Sequence, residues 1–427
     1  MAATRRDLLK LGLLGAAAPA VGLPLLGRRA RAAGSPADRR FLFIFCEGGW
    51  DPAWGFAPLF DSTRVDMPAR AAAAEVNGIP FVDLEDAPSM RAFYEQYGDQ
   101  TVLINGIDIP AVAHPTCERI LMTNSASPGG DDWAAILAAK AASRPLVPHL
   151  LVSGPEFANR YASSVVRVGN NGQLGALLDR SALGQSDLPV NPLSDAALRL
   201  ADARSVERAR RWAESAPAGR AAAIGELAYA GESAFSALAE FAPLLTPSAG
   251  SGLQSQVIVP LRALATGLSR TAMVAYKAWE QVFNGWDTHE SIELQANQFE
   301  ELFATLSFIL DGSWAEEMGV DATVLDNLTI VVLSEMGRFP TLNTTGGKDH
   351  WNFTSALLIG AGVAGGRAIG GYDDALKGRD VDLASGDVRD GATPMHSGHL
   401  GATLLALGDV DPAEFVVDAS PITAALA

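Results

Sequence analysis

The chain has six histidines, and Gly285-Trp286-Asp287-Thr288-His289 sets one of them two residues after a carboxylate. On an extended segment, side chains two residues apart point to the same side, so Asp287 and His289 can bind one metal together. Carboxylate with imidazole suits zinc, manganese or iron better than calcium. The expected cofactor is therefore a divalent transition metal, zinc or manganese, as one or two ions. The competing reading is a helix cap, with Asp287 or Thr288 closing a helix that begins near Ser291. A cap accounts for the Asp or the Thr but not for the His.

Further carboxylates and histidines follow apolar runs. Asp51 comes straight after Gly48-Gly49, either presented to a ligand or capping the next turn. Ser334-Glu335-Met336-Gly337-Arg338 offers a metal ligand in Glu335 and an oxyanion clamp in Arg338, or an ordinary ion pair. The loop Asn343 to His350 delivers Asp349 and His350 as metal ligands, with Asn343 and Lys348 placed to meet substrate. His114-Pro115-Thr116-Cys117 opens a helical run, where free N–H groups favour a nucleophile or an oxyanion. Thr116 or Cys117 is the candidate nucleophile and His114 its neighbour or a ligand; a capped helix with a buried Cys is the plain alternative. His149 precedes an apolar run and reads as structural. His396 and His399 sit in a late loop and at the start of the last helix, where His396 is a candidate to close over substrate.

These residues need a scaffold that gathers loop ends. Unbroken apolar runs at 40–46, 101–106, 150–154, 328–334 and 355–360 are too short for ordinary helices and read as strands buried on both faces. Helical segments separate them; Phe299, Leu302, Phe303, Leu306 and Ile309 recur at helical spacing. The fold expected is α/β, a doubly wound, mostly parallel sheet with helices on both faces. In such sheets ligands bind at the carboxyl edge of the strands, where the residues above fall. An Ala-rich stretch at about 190–265 reads as a helical insertion within a single domain over 34–427.

The motifs together resemble the bacterial family known as domain of unknown function 1501: Gly-Gly-x-Asp at Asp51, Gly285 to His289, Ser334 to Arg338, Gly346 to His350, and Gly360 to Gly366. That family is similar in layout to the alkaline-phosphatase, sulfatase and phosphoglycerate-mutase superfamily. The resemblance implies an alkaline-phosphatase-like fold and hydrolysis of phosphate or sulfate esters. It places Asp51, Asp287, His289, Glu335 and His350 at metal positions and Thr116 near the nucleophile. Met336 stands where the superfamily has a histidine, so one metal site loses a donor that Asp349 or His114 would have to replace. Cys117-Glu118-Arg119 breaks the spacing that sulfatases need around their matured cysteine. The alternative is a non-catalytic binding protein on the same fold, for an envelope polysaccharide or a partner protein.

The first 33 residues read as a twin-arginine signal peptide. Arg5-Arg6 precedes a mildly apolar stretch broken by Gly and Pro, and Ala30-Arg31-Ala32 suits a signal peptidase. The expected location is periplasmic or extracellular, with no membrane span after cleavage. The leader carries six basic side chains against Asp7, so its removal takes the net charge from -17 to -22. Such acidity disfavours nucleic acid and anionic lipid as partners, and the resemblance implies a small-molecule or glycan ester as substrate. Cys46 and Cys117 are the only cysteines, which excludes a disulfide scaffold and leaves open one bridge or two buried thiols.

Overall fold

The computed structural model describes residues 35–143, 145–168, 195–217, 220, 224, 252–277 and 285–427. The expected leader and much of the expected insertion lie outside them. The chain divides into Met1–Ala32 and Ala33–Ala427, and everything below belongs to the second unit.

Twelve strands are described: β1 (Arg40–Cys46), β2 (Ala71–Val76), β3 (Ile79–Leu84), β4 (Thr101–Asp108), β5 (His149–Leu151), β6 (Val165–Arg167), β7 (Thr271–Tyr276), β8 (Leu328–Leu333), β9 (Gly337–Arg338), β10 (His350–Trp351), β11 (Phe353–Gly360) and β12 (Arg367–Gly370). Eight of them form one sheet in the order β12-β4-β11-β8-β1-β7-β5-β6. All five expected strands are in it. Pairing is parallel except at β11, which runs antiparallel to both β4 and β8.

Alternation along β1 shows why the sheet needs helices on both faces. Leu42, Ile44 and Cys46 enter one core, and Phe41, Phe43 and Phe45 enter the other. Each fully buried large side chain contributes roughly 1.5–3 kcal/mol of transfer free energy. The first core is covered by the helices Pro88–Tyr97 and Leu294–Asp311, the second by His114–Thr123, Trp133–Ala139 and Ser397–Leu407. Helix Leu294–Asp311 buries Phe299, Leu302, Phe303, Leu306 and Ile309, the spacing seen in the sequence, and stops at Gly312 with φ 75°. Cys46 and Cys117 fall in cores on opposite faces of the sheet and are free thiols.

Within the expected insertion the described parts are helical, at Asp195–Ser215, Leu253–Gln256 and Ile258–Ala265. No helix among the described residues is long and apolar enough to cross a membrane.

Candidate metal centre

β1, β4, β7 and β8 all end at one edge of the sheet, and β11, being reversed, begins there: Phe353 pairs with Asp108, the last residue of β4. His350 therefore reaches the same edge as Glu335, although one precedes a strand and the other follows one. The third contributor is His114, first residue of the helix His114–Thr123, which Pro115 helps to start and Asn124, at φ 56°, ends.

Two close approaches bring Asp287 and His289 in. Gly48 has φ 121°, and a Cβ there would lie 2.4 Å from the Asp287 nitrogen. A Cβ on Gly347 would lie 2.2 Å from the backbone of His289. Helix Leu294–Asp311 starts with Glu293 at its cap, so neither Asp287 nor Thr288 caps it.

Four side chains converge. His114 Nε2 lies 3.4 Å from Asp287 Oδ2. His289 Nε2 and His350 Nε2 lie 3.1 and 3.2 Å from Asp287 Oδ1 and 2.9 Å from each other. His114, Asp287 and His350 each offer a ligand atom, all within 4.8 Å of one another, a set that could hold a metal ion. Side-chain exposures of 28% for His114, 22% for Asp287, 40% for His289 and 20% for His350 leave the cluster open to solvent.

The far nitrogens fix the tautomers. His350 Nδ1 lies 2.6 Å from the Val112 carbonyl, which can only accept, so that nitrogen carries the proton. His114 Nδ1 faces Glu335 Oε1 at 2.7 Å and His289 Nδ1 faces Asp349 Oδ1 at 3.2 Å, both carboxylates. In the neutral rings all three Nε2 atoms then carry lone pairs, aimed at one another and at a carboxylate. Such a cluster calls for a cation. His114 Nε2 is buried, and Asp287 Oδ2 faces it at 3.4 Å. Zinc bonds of ~2.0–2.1 Å would place tetrahedral ligand atoms roughly 3.3 Å apart, and the observed separations straddle that value.

The local field agrees. Asp287 and Glu335 raise the His114 imidazole to about 9 against the effect of burial. Burial pushes the Asp287 carboxyl up, but hydrogen bonds from His114, His350 and Arg338 outweigh it and hold the group well below the usual carboxylate range.

The other expected site residues fall outside the cluster. Asp51 caps the short helix Pro52–Gly55, accepting from the Ala53 N–H, and its Oδ2 lies 2.7 Å from Lys348 Nζ. Both side chains are fully buried, so Asp51 faces a lysine where a metal was expected and Lys348 is turned away from any substrate. Arg338 is fully buried too. It donates to the Gly48, Gly49 and Lys348 carbonyls and to Asp287 Oδ1, which makes it a brace for Asp287 and not an exposed oxyanion clamp. Glu335, fully buried, accepts from His114 and from the Gly48 N–H at 2.8 Å. Asn343 donates to Asp349 and to the His289 carbonyl. Met336 is buried in the second core. Thr116 is two residues from His114, about 200° round the helix. His396 caps the helix Ser397–Leu407, its side chain accepting from the Gly398 N–H.

Glu118 had no role in the sequence reading. It is one helical turn from His114 on the same face. Burial, then Glu335 and Glu47, push its carboxyl up to about 7. The signal for it was helical periodicity counted from a histidine.

No curated protein matches the sequence. Among solved structures the chain is similar to Ps i-CgsB in complex with k-i-k-neocarrahexaose, at 10% identity and TM-score 0.35 over 90% of this chain and 75% of that one. It is similar to BT4656 in complex with its substrate D-glucosamine-2-N,6-O-disulfate, at 11% identity and TM-score 0.32 over 90% and 81%. The phosphonate monoester hydrolase of Agrobacterium radiobacter gives 12% identity and TM-score 0.32 over 90% and 78%. Residues 253–420, which supply Asp287, His289 and His350 with Glu335 and Asp349, match the family described as "Protein of unknown function (DUF1501)".

Proposed function

We propose that the protein is a metal-dependent hydrolase of phosphate or sulfate esters, carried by small molecules or glycans. Its centre is a single divalent transition ion, zinc or manganese, held by His114, Asp287, His289 and His350. The observation that carries this is the convergence of three imidazole Nε2 lone pairs on one carboxylate in a solvent-open hollow.

Around those ligands each residue has a task. Glu335, Asp349 and the Val112 carbonyl hold the three rings in one tautomer and orientation. Arg338 fixes Asp287 from behind and balances part of its charge. Asn343 steadies Asp349. Glu118, with a carboxyl balanced near neutrality, is the group suited to exchange a proton with a leaving group or a water. A bound ion supplies Lewis-acid polarisation of the ester oxygen. The attacking group in this arrangement is a water, since Thr116 leaves the helix on another side from His114. Lys348 already neutralises Asp51, which favours one ion over two.

Export through the twin-arginine route, from Arg5-Arg6 and the small-residue cleavage pattern, belongs to the same proposal and places the enzyme in the periplasm or outside the cell. A protein that folds before export would carry its ion across with it.

The test is metal content of the exported protein by elemental mass spectrometry, beside the Asp287→Ala/His350→Ala double variant, followed by a screen of phosphate and sulfate esters. The expected result is near one transition-metal ion per chain, lost in the variant along with hydrolysis. Absence of bound metal after incubation with zinc and manganese would overturn the reading.

A further inference from the structure

A cleft of about 490 Å³ opens beside the end of β4, at Asp108 and Pro110. Its size lies within the ~300–1,000 Å³ typical of small-molecule sites. Asp108, His396 and Asp418 line it, over an apolar floor that includes Pro110, Ile120 and Met395, and its lining contains no lysine or arginine.

The hydrogen bonds within the protein leave a definite set of groups free. Asp108 Oδ1 accepts from Asn352 Nδ2 at 2.6 Å, leaving Oδ2 available. Asp418 Oδ1 accepts from Asn124 Nδ2 at 2.9 Å, again leaving one oxygen. His396 Nδ1 lies 3.2 Å from the Gly398 nitrogen, from which it accepts as the helix cap, and 3.3 Å from Asn124 Oδ1, while its Nε2 has no protein partner among the described residues. Two carboxylate acceptors and one imidazole Nε2 match hydroxyl groups, each of which both gives and takes a hydrogen bond. The floor suits the C–H face of a ring, and two carboxylates without a balancing cation repel an anion.

The cleft also adjoins the metal centre through shared chain. The Ile109 N–H donates to the Asn352 carbonyl at 2.7 Å, three residues before Val112, whose carbonyl holds His350. Residues 108–112 therefore run from the cleft, at Asp108 and Pro110, to the carbonyl that holds His350.

We propose that this cleft binds a neutral, polyhydroxylated ligand, a glycan without charged substituents in the cleft itself. This deepens the hydrolase reading by naming what carries the ester, while the binding step needs neither metal nor turnover.

The test is capture on an array printed with neutral glycans and with sulfated and phosphorylated ones, using the full chain with its metal and after chelation. The wild-type protein is expected to retain neutral glycans in both states. Asp108→Asn and Asp418→Lys are expected to weaken that capture at least tenfold. Asp418 is exposed, so the charge reversal tests the cleft without threatening the core. Failure to capture any neutral glycan, preference for the anionic ones, or capture unchanged in Asp418→Lys would each overturn the proposal. If the hydrolase reading alone is wrong, neutral capture persists in a protein that binds no metal and hydrolyses nothing.

Discussion

Replacing Glu335 by Gln separates a ligand from a residue that aims one. Glu335 Oε1 lies 2.7 Å from His114 Nδ1 and 2.8 Å from the Gly48 nitrogen, and the side chain is fully buried. Gln keeps the shape and one acceptor oxygen but loses the charge that makes the His114 ring a better donor to a metal. Loss of such an outer partner typically weakens metal binding 10–100-fold, about 1.4–2.7 kcal/mol. Glu335→Ala should cost more, because it strands two buried donors at roughly 1–3 kcal/mol each. The assay is zinc affinity by competition against a chromogenic chelator, with circular dichroism to verify folding. The expected outcome for Glu335→Gln is one zinc per chain at 10–100-fold weaker affinity. Stoichiometric zinc lost altogether would make Glu335 a ligand, and affinity unchanged would make the His114 contact irrelevant; either refutes the reasoning.

Three other outcomes follow from the same coordinates. Lys348→Met leaves the fully buried Asp51 carboxylate without its ion-pair partner, which should destabilise the fold by about 3–5 kcal/mol in urea unfolding; adding Asp51→Asn should restore much of it. His149 is buried, with its imidazole pushed down to about 4, so the unfolded chain binds the proton more readily below about pH 6.5. Its contribution is complete above that pH and lost as the pH falls towards 4, up to about 3 kcal/mol; urea midpoints measured across this window should show the loss in the wild type and a flatter profile in His149→Asn. Thr116→Val should leave metal content and ester hydrolysis within about twofold of wild type, because its hydroxyl departs from the helix some 200° from His114; a loss of turnover with metal retained would reinstate Thr116 as nucleophile.

The buried strands were legible because a strand covered on both faces is apolar throughout, as Phe41 to Cys46 is. β7, Thr271–Tyr276, carries no such signal, although every residue in it is buried. Its Thr and Ala residues follow an Ala-rich helical tract, and nothing local marks where the period changes. Asp287 and His289 were legible as a pair because two-residue spacing is a local property. What their neighbours would be was not. Asp51 and Lys348 are far apart in the chain, and only the packed sheet brings them to 2.7 Å, where a lysine takes the carboxylate expected to bind metal. The same holds for Glu335, which reads as a ligand by position and turns out to face the far nitrogen of His114.

The direction of β11 explains why these side chains meet at all. Had that strand run parallel like the other neighbours of β8 and β4, the residues just before it would lie at the amino edge, a full strand length from Glu335 and His114. An eight-residue strand spans about 26 Å, far beyond any side chain's reach. Antiparallel entry instead starts the strand where β4 and β8 finish, so His350, three residues before Phe353, hangs over the same edge. Its imidazole then needs only the Val112 carbonyl, from the loop after β4, to be held facing Asp287. Topology supplies the meeting point, and the acceptors behind each ring decide which nitrogen is offered to the ion. A change that preserved all four inward residues but removed those acceptors would keep the composition of the site and lose its affinity.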